Sequence, residues 1–292
     1  MDFLGFAGSK DVVLLDGAVG TELEKRGLPA GGQANLVCPE AVRQIHREFA
    51  ECGCDALTTN TLTMNRAYID THKVGVDVGE VNRAGVELAG SAAAAGVYIL
   101  GDLSSTGQLL EPYGPCTEQQ CYDALAEQAR VLADAGVDAL IVETMFDLRE
   151  ALCALSACKN AGALPVIISM AFKTADRGGR TFMGDLAADC ARLLTDAGAD
   201  AVGTNCGGLP RGDTARIVAA MRSATPLPIA AQPNAGTPRL AGGTTVFDID
   251  PEGFAAEIRR CIDAGATLVG GCCGVSPAHI GAVAEHLRGP SV

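Results

Sequence analysis

The pentapeptide GGCCG at residues 270–274 sets two thiols, Cys272 and Cys273, side by side on a backbone with little else attached to it. A third thiol shares their register. Four segments repeat one pattern: ECGCDALTTN (51–60), DAGVDALIVE (134–143), DAGADAVGTN (196–205) and DAGATLVGGC (263–272). The eighth residue after the repeat's glycine is Cys206 in the third copy and Cys273 in the fourth, with Cys272 one place earlier. Three convergent thiols suit Zn²⁺, a tetrahedral and sulfur-tolerant ion, and three protein ligands leave a fourth position open, as catalytic zinc sites do. Gly270, Gly271 and Gly274 would permit the unusual turn by which adjacent cysteines face one ion. The same pair could instead form a vicinal disulfide, cycle as a redox couple or lie as two buried thiols, and those readings give Cys206 no role.

The elements that must position these thiols follow from the same repeat. Each copy comes after an amphipathic Ala/Leu-rich stretch, has a glycine suited to the position just past a helix end, then Asp or Thr, then a short apolar run. That order reads as helix, stop, buried strand. Four more apolar runs lie between the copies, VVLLDG (12–17), VYILGD (97–102), PVIISM (165–170) and PIAAQP (228–233), making eight strands. Helix starts are expected at Pro39, at Thr117 with Gln120, at Asp147 with Glu150, at Asp185, Asp213, Asp250 before Pro251, and Ser276 before Pro277. Strict alternation of strand and helix implies a parallel sheet, and eight units imply an α/β fold closed into a single-domain (β/α)8 TIM barrel over residues 1–292. An open doubly wound sheet is the alternative, but no G-x-G-x-x-G or phosphate-loop motif is present. Catalytic side chains of such barrels sit at the C-terminal strand ends. Here those ends carry Asp16, Asn60, Asp102, Glu143, the Ser169–Phe172 region, Cys206, Asn234, and Cys272 with Cys273.

Composition narrows the partners. A formal charge of −13 repels phosphate backbones, and zero Trp with four Tyr leaves few rings for stacking bases, so nucleic acid is not expected. The start has no basic region followed by an apolar run, and no stretch reaches membrane-spanning length; the expectation is a soluble, cytoplasmic protein with no membrane partner. Its 12 cysteines are then mostly reduced, and Cys153, Cys158, Cys190 and Cys261 read as small buried hydrophobes on helices.

Taken together, DGAVGTELEKRG, LTTNT, GDLSSTG, ETMFDLREA, GTNCGG, QPNAGTP and GGCCGVSPAHI resemble the homocysteine S-methyltransferase family, most closely the homocysteine-binding module of cobalamin-dependent methionine synthases, from about residue 11 to 288. The resemblance implies a (β/α)8 barrel with Cys206, Cys272 and Cys273 as catalytic zinc ligands. It also implies Asp16, Gly17 and Glu143 as homocysteine contacts, Glu143 receiving the ammonium, and Asn234 near the metal without ligating it in the working complex. The activity implied is activation of homocysteine as a zinc-bound thiolate that accepts a methyl group to give methionine.

For the methyl donor, GDLSSTG and PNAG resemble the branch that takes methylcobalamin from another module, so the expected partner is a separate corrinoid protein. S-methylmethionine, another donor, or a zinc-containing accessory subunit that docks a corrinoid protein are the alternatives. Betaine is disfavoured, because an aromatic cage for a quaternary ammonium would have only Phe146 and Phe172 near strand ends. DTHKVG (70–75) matches the D-x-H-x-x-G signature of cobalamin-binding folds but falls after strand two of a barrel, and is read as coincidence. His279 and His286 on the last helix, and the basic DRGGR loop (176–180), read as satisfied or solvated groups.

Overall fold

The computed structural model describes residues 1–241 and 244–289; residues 242–243 and 290–292 of the span expected for the barrel lie outside them. Eight strands form one parallel sheet: β1 Val13–Leu14, β2 Ala56–Thr58, β3 Tyr98–Leu103, β4 Ala139–Met145, β5 Val166–Met170, β6 Ala201–Asn205, β7 Ile229–Gln232 and β8 Leu268–Val269. Neighbours run in chain order from β2 to β8, and β8 pairs with β1. A parallel bridge between Leu15 and Ala56 returns β1 to β2 and completes the ring. The sequence expectation of a (β/α)8 barrel is therefore the fold observed.

The repeat has a structural reason. Its glycines, Gly53, Gly136, Gly198 and Gly265, all adopt φ between 90° and 109°, the left-handed conformation that ends a helix at no steric cost. The aspartate two residues on does a second job. Asp55, Asp138 and Asp200 each accept a backbone N–H from a neighbouring strand, that of Leu14, Ile99 and Val166 respectively, at 2.7–2.8 Å. These clamps set the register where strands enter the barrel. Alternate residues then sort by face: Val13, Leu15, Ala139 and Ile141 pack inside with Phe3, while Leu14, Leu140 and Val142 pack against the helices. Phe3 belongs to a short helix, α1 (Phe3–Ser9), that the sequence reading did not expect; Asp2 caps it.

Helix starts at Pro39, Thr117, Asp250 and Ser276 lie where expected. Three others differ. Asp147 caps its helix through the N–H of Arg149, but Glu150 does not reach back; it is buried and accepts from Ser105 Oγ, Thr106 N and Thr106 Oγ1. Asp185 pairs with Thr181 instead of capping, so the helix begins at Ala187, and Asp213 is already the first helical residue. Glu150 gives up the local cap for a tertiary partner, whereas Asp185 and Asp213 pair within four residues, with Thr181 and Arg216. No described helix is long and apolar enough to cross a membrane.

Glu150 thus fastens the segment after β3 to the barrel. Replacing it by alanine strands buried hydroxyl and amide donors, and should cost about 2–4 kcal/mol. Urea unfolding of Glu150→Ala checks this against the exposed Glu51→Ala, expected within about 0.5 kcal/mol of the parent.

Candidate functional site

Cys206 follows β6, and Cys272 with Cys273 follow β8, at the C-terminal mouth. The Sγ atoms of Cys206 and Cys273 are 4.0 Å apart, those of Cys272 and Cys273 3.9 Å, and all three lie within 4.8 Å of one another. Sulfurs about 2.3 Å from a tetrahedral zinc are about 3.8 Å apart, so the donor set fits that ion. Among the described residues no other cluster of His, Cys, Asp or Glu is close enough to share a metal.

β6 and β8 do not pair with each other; β7 separates them. The segment leaving β7 holds both: Gln232 O accepts the N–H of Cys206, Pro233 O accepts that of Cys272, and Ala235 N–H donates to Cys273 O. The backbone turn differs from the one expected. Of the glycines around the pair, Gly274 has positive φ, whereas Gly270 and Gly271 do not. Those two are small because of crowding: a Cβ would lie 2.9 Å from Asp16 O at position 270 and 2.3 Å from Val275 Cγ1 at position 271. The left-handed turn falls instead at Cys206 itself, φ 56°, followed by Gly207 and Gly208. Hydrogen bonds from Cys272 and Cys273 hold Cys206 well below the ordinary thiol range, and Asn234 adds another.

Behind the thiols stands Asn205, 1% of whose surface is exposed. Its Oδ1 accepts from Thr144 N at 2.8 Å and Ser169 Oγ at 2.9 Å, and its Nδ2 donates to Thr144 Oγ1 at 2.7 Å and reaches Cys272 Sγ at 3.8 Å. Thr144 is held at φ 62°, a strained value for a β-branched residue, immediately after Glu143. One amide therefore ties the Glu143 segment to the thiol cluster. Only its place in the repeat marked Asn205 in the sequence.

A cavity of about 300 Å³ lies beside the cluster, lined by Cys272, Cys273, Asp16, Gly17, Asp102, Glu143, Gln232 and the strand-two residues Thr58 to Asn60. Gly17 is required by space, since a Cβ would sit 2.7 Å from Val275 O and 2.8 Å from the Phe49 ring. Asp16 accepts the N–H of Thr58 at 2.9 Å, and burial pushes its carboxyl up to about 7. Glu143 meets Gln232 Nε2 at 3.3 Å and is pushed up to about 8 by burial, with repulsion from Cys206 and Asp16 adding to it. Asp102 is raised well above the carboxylate range by burial, then by Glu143 and Asp16. The cavity thus unites Asp16, Gly17 and Glu143 with two of the thiols. It adds Asp102, which the sequence places at a strand end without a specific role, and Gln232, which no sequence pattern singles out.

Asn234 lies elsewhere. It lines a second space with Cys206 and Cys273, walled by Phe146, Phe182 and Phe247. Phe172, the ring expected beside Phe146, is fully buried in the core, so the rings at the mouth come from loops whose approach no local pattern announces. His72 of the cobalamin-like signature stacks on Tyr68 at 4.0 Å, and His279 is satisfied by Ser276 and the Ile249 carbonyl.

Two outcomes follow. Asn205→Ala should weaken metal retention by about 10–100-fold, as loss of an outer-shell partner does, read by chelator competition. The Asp16 carboxyl titrates near 3.8 when unfolded and about 7 when folded, so the stability it contributes is complete below about pH 4 and lost as pH rises towards 7. Melting curves of the metal-free protein should show Asp16→Asn gaining on the parent across that interval.

Residues 13–287 match the family described as Homocysteine S-methyltransferase. A methionine synthase of Mycobacterium tuberculosis is 29% identical over 94% of this chain, and one of Mycobacterium leprae 28% over 94%. The chain spans 24% of the length of each, about a quarter of these curated relatives. Among solved structures, the metallated form of the Escherichia coli homocysteine methyltransferase MmuM superposes with a TM-score of 0.79 at 23% identity, covering 96% of this chain and 98% of that one, a likeness of fold. With nearly all of its length matched, this chain belongs to the homocysteine S-methyltransferase family.

Proposed function

We propose that this chain is a zinc-dependent methyltransferase that joins a methyl group to the sulfur of homocysteine, giving methionine. The observation that carries the reading is the set of three sulfurs, two of them 3.9 Å apart and facing a cavity rich in carboxyl groups. Cys206, Cys272 and Cys273 would hold the zinc. Bound there, zinc would favour loss of the thiol proton of homocysteine, whose ordinary value near ~8.5 otherwise leaves it a weak nucleophile at neutral pH. The protein's own part is chiefly orientation. Cys272 and Cys273 form one wall of the acceptor cavity, Glu143 and Asp16 meet the ammonium, and Gly17 keeps room for the chain between. The methyl carbon gains a bond to sulfur as its bond to the donor breaks, the electron pair leaving with the donor.

The donor we propose is methylcobalamin carried by a separate corrinoid protein. The segments GDLSSTG and PNAG support it, since they resemble the branch that takes methylcobalamin from another module. A small S-methylated donor is the second reading, supported by the phenylalanine-walled space on the Cys206 side of the cluster. All 12 cysteines are free thiols, which supports a reducing, cytoplasmic setting.

Zinc content and the metal–sulfur shell of anaerobically purified protein, followed by X-ray absorption, test the proposal. A three-sulfur site is expected to gain a fourth sulfur with homocysteine, and Cys206→Ser should lose most of the zinc together with that gain. Three sulfurs with no gain would instead fit an accessory subunit, and absent zinc with oxidised Cys272 and Cys273 would overturn the reading. Turnover with a methylcobalamin-loaded corrinoid protein against S-methylmethionine then decides the donor.

A further inference from the structure

The acceptor cavity has a charge problem that the assigned contacts do not resolve. Its lining includes the carboxyl groups of Asp16, Glu24, Asp102 and Glu143, and no Lys, Arg or His. Asp16 and Glu143 each have a protein donor, from Thr58 and Gln232. Asp102 is different: it is 4% exposed, and its Oδ1 has no hydrogen-bond partner. The backbone that carries it is pinned on both sides. Its N–H donates to Thr59 Oγ1 at 3.0 Å, and its carbonyl accepts from Thr61 Oγ1 at 2.7 Å. A buried carboxyl oxygen held in place without a partner is a costly arrangement unless a ligand completes it. The carboxyl groups do not form a cluster tight enough to share one metal ion, unlike the three thiols. An ammonium completes the arrangement, because it donates hydrogen bonds and supplies the counter-charge that the lining lacks.

We infer that Asp102 is a specificity-determining residue that makes the acceptor's ammonium, rather than its carboxylate, the group the cavity selects, so that primary aminoalkanethiols without a carboxylate are a further class of methyl acceptor. The inference rests on the homocysteine reading above and deepens it. With Asp16 on the end of β1, Asp102 on β3 and Glu143 on β4, the cavity presents negative charge from three strand ends, and an incoming ammonium supplies the counter-charge that Asp102 lacks. An acceptor carboxylate meets no cationic side chain there and has only neutral donors to draw on. Removing it should cost little; removing the ammonium should cost much, because carboxyl groups are then left buried and unpaired.

Three thiols separate the contributions: homocysteine; 3-aminopropane-1-thiol, which keeps the ammonium and lacks the carboxylate; and 4-mercaptobutanoate, which has the reverse. Calorimetric affinities and methyl-transfer KM values on the zinc-loaded protein should place the aminothiol within about tenfold of homocysteine and the mercapto acid weaker by about 100-fold or more. Asp102→Asn keeps the shape and should weaken the aminothiol while strengthening the mercapto acid, narrowing their ratio at least about tenfold. A purely packing role would move both in one direction, and that result, or a mercapto acid binding as well as the aminothiol, overturns the inference. Melting temperature and zinc content confirm that the variant is folded and loaded; if Asp102→Asn does not fold, Asp102→Ser is read by the same ratio. Should homocysteine add no sulfur to the zinc shell, the acceptor reading itself fails, and the calorimetric ratio of the two analogues still decides the charge preference.

Discussion

Three sulfur atoms within 4.8 Å of one another, drawn from two strands that do not touch, are the constraint on which the rest of this molecule depends. β6 and β8 stand on either side of β7, and the stretch from Gln232 to Ala235 bonds to Cys206, Cys272 and Cys273 through the main chain. Closure of the barrel fixes the spacing of those strands, and the left-handed turn at Cys206 aims its thiol across the gap. Loosening any of the three would disperse the cluster, since each cysteine is held by backbone geometry rather than by its own rotamer alone.

The same mouth holds its charges at a disadvantage. Asp16 and Asp102 are buried with Glu143 half-buried beside them, and each favours its neutral form more than a carboxyl in water does. Such a cavity is poised for a cation, because an arriving ammonium stabilises the ionised forms that burial penalises. Asn205 couples that cavity to the thiols: the amide that fixes Thr144, and through it the Glu143 segment, also reaches Cys272. The acidic cavity and the thiol cluster therefore share one support.

Two spaces meet at the cluster, one polar and acidic on the Cys272 side and one aromatic on the Cys206 side, with Cys273 belonging to both. That arrangement suits a transfer reaction, in which two partners must approach one centre from different directions. Phe182 and Phe247 reach the aromatic space from the connections after β5 and β7, whereas Asp16, Asp102 and Glu143 of the acidic space stand at strand ends. Strand ends inherit their position from the barrel; loops are free to vary around it.

By itself, the sequence determined the barrel, because glycine at each helix end and an apolar run after it are local signals that repeat with the fold's own period. It also determined the identity of the thiol cluster, since equal spacing from equivalent glycines becomes equal height on the barrel. What only the tertiary structure decided are the contacts whose partners lie far apart in the chain. Glu150 abandons a local cap for Ser105 and Thr106, Asn205 braces Thr144 against Cys272, and Asp102 is left facing a cavity without a cation. Local propensities are set within a few residues, whereas burial and hydrogen-bond pairing are settled only when the ring closes and strands distant in sequence become neighbours.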